Sequence, residues 1–199
     1  MMPFPRRSGP AIAPAISLVD ALFHLREIVD EAEVASLPAL QIAKVNKLIA
    51  AATRQCEDRI ERCLVQTPWH LTLDAFPGAI VLRQPPIIAV QQVSYTAPDG
   101  SAVLLDPQDY ALDKASGPGY LVPAHGKRWP ATSQGINTIT VSYTAGYGPS
   151  AATVPEPLHQ WMLLAITDMY DTAGASAERA MVAHSFVDHL LNPYRVEGV

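Results

Sequence analysis

Side chains able to do covalent or metal chemistry are few in this chain, and their spacing does not serve it. His184 and His189 stand five positions apart, one more than places two imidazoles on one helical face, and no Glu or Cys completes a ligand set. Ser17, Ser94, Ser142 and Ser185 lack the Gly-x-Ser-x-Gly setting of an activated nucleophile, and Cys56 has no activating neighbours. Neither Gly117-Pro118-Gly119 nor Gly146-Tyr147-Gly148 leads into the Gly-Lys-Ser/Thr of a phosphate cradle, so both read as turns. Asp106 with Asp109, and Asp168 with Asp171, have no partner base and read as surface carboxylates. Trp69, Tyr95, Tyr110, Tyr120, Trp129, Tyr143 and Tyr147 recur through the middle of the chain. They could stack sugars or single strands from one exposed strand face, or fill a β-core. No catalytic, cofactor-binding or metal site is predicted, and the expectation is a protein that is not an enzyme.

The elements that position these residues follow from periodicity. Residues 1–16, rich in proline and without a period, are expected as an extended or disordered arm, with ordering on a neighbouring subunit as the sharper alternative. Ser17 is a candidate N-cap for a short helix carrying Val19, Leu22, Phe23 and Leu25 to Ile28. An acidic connector, Asp30 to Ser36, leads to a long amphipathic helix over Pro38–Leu64, with Ile42, Val45, Ile49, Ala52, Cys56, Ile60 and Cys63 on its apolar stripe. Its charges alternate in sign, which reads as a solvated face.

From Trp69 the period becomes two. Strands are predicted around Trp69–Leu73, Ile80–Leu82, Ile88–Thr96, Asp109–Leu112, Gly119–Val122 and Ile136–Thr144, with a hairpin at Asp99-Gly100. Pro85-Pro86, which cannot donate to a ladder, belongs at an edge or in a connection. Pro155 and Pro157 suit the first turn of a helix carrying Leu158, Trp161, Ala165 and Met169 on one stripe. A break at Gly174 precedes a last helix, Glu178 to Leu191, which Pro193 stops.

With 199 residues, 49% of them hydrophobic, the chain can bury a substantial core. A formal charge of −5 argues against a surface built mainly to neutralise phosphates. Cys56 and Cys63, read on one helix, lie about 10 Å apart along its axis and out of disulfide reach, so a reducing compartment is expected. No standard export signal and no membrane-spanning segment is expected.

Several strings, in their order, carry a family likeness. They are Leu22-Phe23-His24-Leu25-Arg26, Leu48-Ile49-Ala50-Ala51-Ala52, Trp69-His70-Leu71-Thr72-Leu73-Asp74-Ala75-Phe76-Pro77, Pro85-Pro86, Tyr95 with Asp99-Gly100, Trp129-Pro130, Ala145-Gly146-Tyr147-Gly148, Val154-Pro155-Glu156 and Leu190-Leu191-Asn192-Pro193-Tyr194-Arg195-Val196. From residue 17 onward the chain resembles the head-to-tail connector (adaptor, head-completion) proteins of tailed bacteriophages, in the branch with a β-domain inserted between helix pairs.

The resemblance implies an α+β fold: a helical bundle made from N- and C-terminal helices, with an inserted small antiparallel β-domain. The expected organisation is an extended arm (1–16), N-terminal bundle helices (17–65), the inserted β-domain (66–148), C-terminal bundle helices (149–191) and a C-terminal tail (192–199). It further implies a structural virion neck protein, present in the host cytoplasm during assembly. A ring of twelve subunits would dock on the portal, extend the DNA channel and present a surface to the next neck or tail-completion protein. Genomic DNA would pass through the lumen without sequence-specific binding, helped by an acidic balance that repels it. Portal contact is assigned by the resemblance to Leu190, Leu191, Pro193, Tyr194, Arg195 and Val196, unless that apolar tail packs back onto its own helices. If it orders only on the portal, deleting Leu190–Val196 leaves the thermal melt nearly intact and abolishes portal binding. The reading from another class is a ligand-binding module whose β-domain aromatics hold a carbohydrate or peptide.

Overall fold

The computed structural model describes residues 4–172 and 185–196. It is an α+β fold, and the chain divides into two compact units, each assembled from separated stretches of sequence. Met1–Ile12 and Glu61–Tyr147 form a β unit; Ala13–Ile60 and Gly148–Val199 form a helical unit.

In the helical unit, α1 (Leu18–His24) starts where expected: the Ser17 Oγ accepts a hydrogen bond from the Asp20 N–H at 3.0 Å and donates to its carboxylate at 2.6 Å. It ends before the predicted Ile28, because Arg26 adopts φ +59° and turns the chain. The acidic connector is a 3-10 helix, Glu31–Ser36, capped by Asp30, which accepts from the Ala32 N–H at 2.8 Å. The long helix α2 (Ala39–Ile60) buries Val45, Ile49, Ala52, Cys56 and Ile60 of the predicted stripe and Glu57 beside it, while Ile42 is half-buried. Glu61, at φ +55°, ends it. Cys63 therefore lies beyond the helix and in the core of the β unit, which corrects the reading of both cysteines on one helix.

Helix α3 (Glu156–Thr172) begins at the predicted proline pair, with the Pro155 carbonyl accepting from Leu158 and His159. Its buried face is wider than the predicted stripe, since Met162, Leu163 and Ile166 join Leu158 and Trp161 while Ala165 and Met169 are half-buried. Helices α1, α2 and α3 pack on one another. The break at Gly174 and the first half of the predicted last helix fall outside the described residues; what is described is a short α4 (Ser185–Asp188) and a 3-10 turn, Asn192–Tyr194.

Among the described residues the β unit contains eight antiparallel strands: β1 (Arg6–Arg7), β2 (Thr67–Leu73), β3 (Ile80–Leu82), β4 (Ile87–Thr96), β5 (Ala102–Leu104), β6 (Tyr110–Asp113), β7 (Gly119–Pro123) and β8 (Ile139–Ala145). They form one sheet in the order β1-β2-β8-β4-β5 and another in the order β3-β7-β6. One core joins them, with Trp69, Leu71, Val93, Ile139, Val141 and Tyr143 from the first sheet and Ile80, Leu82 and Leu121 from the second. The period-two pattern selects these inward residues and leaves His70, Thr72 and Gln92 outside. Residues 1–16 are not a free arm in their described part. Arg6 and Arg7 pair with His70 and Trp69, the Ser8 and Ile12 amides donate to Pro68 and Gln66, and Ala15 and Ile16 are buried.

Candidate functional site

The aromatic set resolves toward packing. Trp69 and Tyr143 are buried, and Tyr95, Tyr110, Tyr120, Trp129 and Tyr147 are half-buried. Trp129 stacks on Phe76 with centroids 4.7 Å apart, and Tyr95 meets Phe76 edge-on at 5.9 Å. The Tyr143 hydroxyl donates to the Arg83 carbonyl at 2.9 Å, and burial, then the nearby Cys63, pushes its pKa up. None of the seven stands fully exposed, and Tyr95, Tyr110 and Trp129 pack against the core of the β unit.

The other chemical candidates are equally structural. Cys56 is buried against the helical core, and desolvation first, then Glu57, pushes its thiol up to about 12 against a weaker opposing pull from Arg59. Asp106 accepts from the Gln108 N–H at 2.8 Å, and Asp109 pairs with Lys127 at 3.0 Å. Asp99 accepts from the Ser101 N–H and hydroxyl, which closes the hairpin turn and lowers its pKa. His189 is exposed, and His184 lies outside the described residues. Among the described residues no three His, Cys, Asp or Glu side chains could hold a metal ion, and no helix is long and apolar enough to cross a membrane.

What remains is surface. The six tail residues assigned by resemblance do not form one exposed face. Leu191 is fully buried, and the Val196 N–H donates to the Ile60 carbonyl at 3.0 Å. Leu190 and Tyr194 are half-buried, and Pro193 and Arg195 are exposed. Just before the tail, Asp188 accepts from Trp161 Nε1 at 3.2 Å and pairs with Arg59, whose guanidinium lies 5.2 Å from the Trp161 ring. This segment is fastened to α2 and α3, so the tail belongs to the helical unit.

Large apolar side chains are exposed elsewhere. In the helical unit, Val29 and Leu40 are 80% and 83% exposed, at the two ends of a knuckle that carries the acidic 3-10 helix. Glu27 ties the base of that knuckle, accepting from Gln41 Nε2 and from the Tyr170 hydroxyl, each at 2.6 Å. The bond to Glu27 holds the Tyr170 phenol protonated and raises its pKa, while Lys44 Nζ sits 3.8 Å from the Tyr170 ring centroid. In the β unit, Phe4 and Ile12 are 70% and 57% exposed on the segment that carries β1, where Arg6 and Arg7 are also exposed. Sequence reasoning missed both surfaces: Phe4, Ile12 and Val29 lie outside any periodic element, and Leu40, in the first turn of α2, falls off its buried stripe.

No protein-family model and no curated protein matches the chain. Solved structures do. The chain matches one from the neck of an empty GTA particle computed with C6 symmetry, at TM-score 0.80 and 20% identity, over 98% of this chain and 97% of that one. It matches one from the virion of the native gene transfer agent (GTA) particle over the same shares, at TM-score 0.77 and 20% identity. A third, from the neck of the native GTA particle computed with C12 symmetry, matches at TM-score 0.69 and 19% identity, again over 98% and 97%. The chain shares the fold of these proteins along nearly its whole length, helical and β units alike.

Proposed function

We propose that this protein is a structural component of a virion neck, a head-to-tail connector that acts without catalysis. The observation that supports this reading most is the likeness of fold to chains from particle necks, which spans 98% of the sequence. In the proposed role, subunits form a ring of twelve that docks on the portal, extends the channel for DNA and offers a platform to the next neck or tail-completion protein. The symmetric particles in which the similar folds occur favour a ring. A ring of like subunits needs a heterologous interface, one patch meeting a different patch on the next copy.

Charge fits the same role. The β unit carries seven Lys/Arg against six Asp/Glu, a formal +1, and the helical unit seven against thirteen, a formal −6. The acidity of the chain thus resides in the helical unit, which would repel a passing duplex rather than grip it. Of the six tail residues assigned to portal contact, Pro193 and Arg195 are the exposed ones, which a portal could touch directly.

The test is the native mass of the purified chain, alone and mixed with the portal protein of the same phage, with electron micrographs of any large species. A ring stacked on the portal is the expected result. A monomer that ignores the portal overturns the proposal.

A further inference from the structure

Two of the exposed apolar surfaces share one layout with opposite charge. On the knuckle, Val29 and Leu40 flank Asp30, Glu31 and Glu33, and no basic residue occurs between Arg26 and Lys44. On the N-terminal segment, Phe4 and Ile12 flank Arg6 and Arg7, and no acidic residue precedes Asp20. Both are held in place. Glu27 ties the base of the knuckle through Gln41 and Tyr170, and Glu33 accepts from the Val29 N–H at 3.2 Å. Pairing with β2 and the Ser8 and Ile12 amide bonds hold the other, while the Arg83 guanidinium lies 4.6 Å from the Phe4 ring centroid.

From this we infer that the acidic knuckle, Val29–Leu40, is the docking surface for the basic segment Phe4–Ile12 of a second copy of the chain. The inference rests on the connector reading and deepens it by assigning the subunit contact. Four exposed apolar side chains leave water in this contact, and complementary charge fixes which patch meets which. Every copy carries both patches, and a knuckle is acidic where another knuckle is acidic. A knuckle that takes the segment of the next copy, while its own segment goes to a further copy, makes a head-to-tail contact, the kind that propagates from copy to copy and can close into a ring.

Two charge-reversed full-length chains test it. One carries Arg6→Glu with Ser8→Glu, the other Glu31→Lys with Ala35→Lys; all four side chains are exposed, and the choice spares Arg7 on Trp69 and the Asp30 cap. Ring formation is read by native mass and micrographs, with and without portal. Each variant alone is expected to lose ring formation at least tenfold. An equimolar mixture is expected to regain it, since alternating variants match at every contact of an even-numbered ring. If the mixture fails while one chain carrying all four changes assembles, the patches meet within a chain and the inference falls. If both variants assemble like the native chain, the contact lies elsewhere, and the connector reading stands. If the native chain forms no ring even on the portal, the connector reading falls and takes this inference with it. Phe4→Ser and Leu40→Ser, at exposed positions that no core needs, give a second pair independent of charge reversal, each expected to weaken the ring; unchanged assembly of both overturns the inference.

Discussion

At Gly146 the backbone has φ +132°, and an added Cβ would meet the Val65 carbonyl carbon at 2.5 Å and the Gln66 nitrogen at 2.6 Å. Strain and backbone overlap act together, so Gly146→Ala is expected to cost about 3 kcal/mol or more in urea denaturation. Gly78 has no atom within 4 Å of such a Cβ, and Gly78→Ala is expected to change stability by less than about 0.5 kcal/mol. Cys56 sets a pH dependence. Its folded pKa, about 12, lies above the ordinary 9.0, so the thiol's contribution is complete below pH 9 and is lost as pH rises toward 12. Unfolding midpoints are expected to fall with pH across that window and to fall less steeply in Cys56→Ala. Iodoacetamide is expected to leave Cys56 unmodified in the native protein at pH 8.

Among the elements, the tail has the clearest energetic consequence. Leu191 is buried and the Val196 amide is bonded to Ile60, so deleting Leu190–Val196 opens a cavity and strips a bond from the end of α2. The melt is therefore expected to drop substantially, which reverses the expectation drawn from the apolar tail alone. Leu191→Ala is expected to cost about 2–5 kcal/mol by thermal or urea unfolding. Arg195→Ala, at an exposed position, is expected to change stability by less than about 0.5 kcal/mol. Paired with a portal-binding assay, Arg195→Ala separates a role in docking from a role in the fold, which the deletion cannot. The Arg59–Asp188 pair is more than a third exposed on both sides and contributes no more than about 1 kcal/mol. The buried leucine, not the ion pair, holds this segment.

For the whole molecule, the separation of charge between units predicts salt sensitivity of assembly. At physiological ionic strength the screening length is about 8 Å, and it falls to about 3 Å at 1 M salt. Ring formation by the native chain is expected to weaken as salt is raised, while the melting temperature of the free chain changes little; native mass across a salt series measures both arms when paired with calorimetry. Assembly that strengthens steadily with salt would show an interface governed by apolar area alone.

Much of the architecture is legible in the order of residues. The period-three-and-four stripe of Val45, Ile49, Ala52, Cys56 and Ile60, the alternation of Ile139, Val141 and Tyr143, the Asp99-Gly100 turn, the Ser17 cap and the proline pair before α3 are local patterns. They are readable because helix, strand and cap are set by neighbours within a few residues. Helix ends are not: Arg26 and Glu61 turn left-handed although neither is a residue type that favours it, a choice made by how the succeeding segments pack. Nor can sequence tell that Cys56 and Cys63 enter different cores, that Arg6 to Ser8 attach to β2, or that Leu191 is buried while Val29 and Leu40 are bare. An apolar side chain is the same whether it fills a core or awaits a partner. Only the three-dimensional path of the chain decides which neighbours remove it from water.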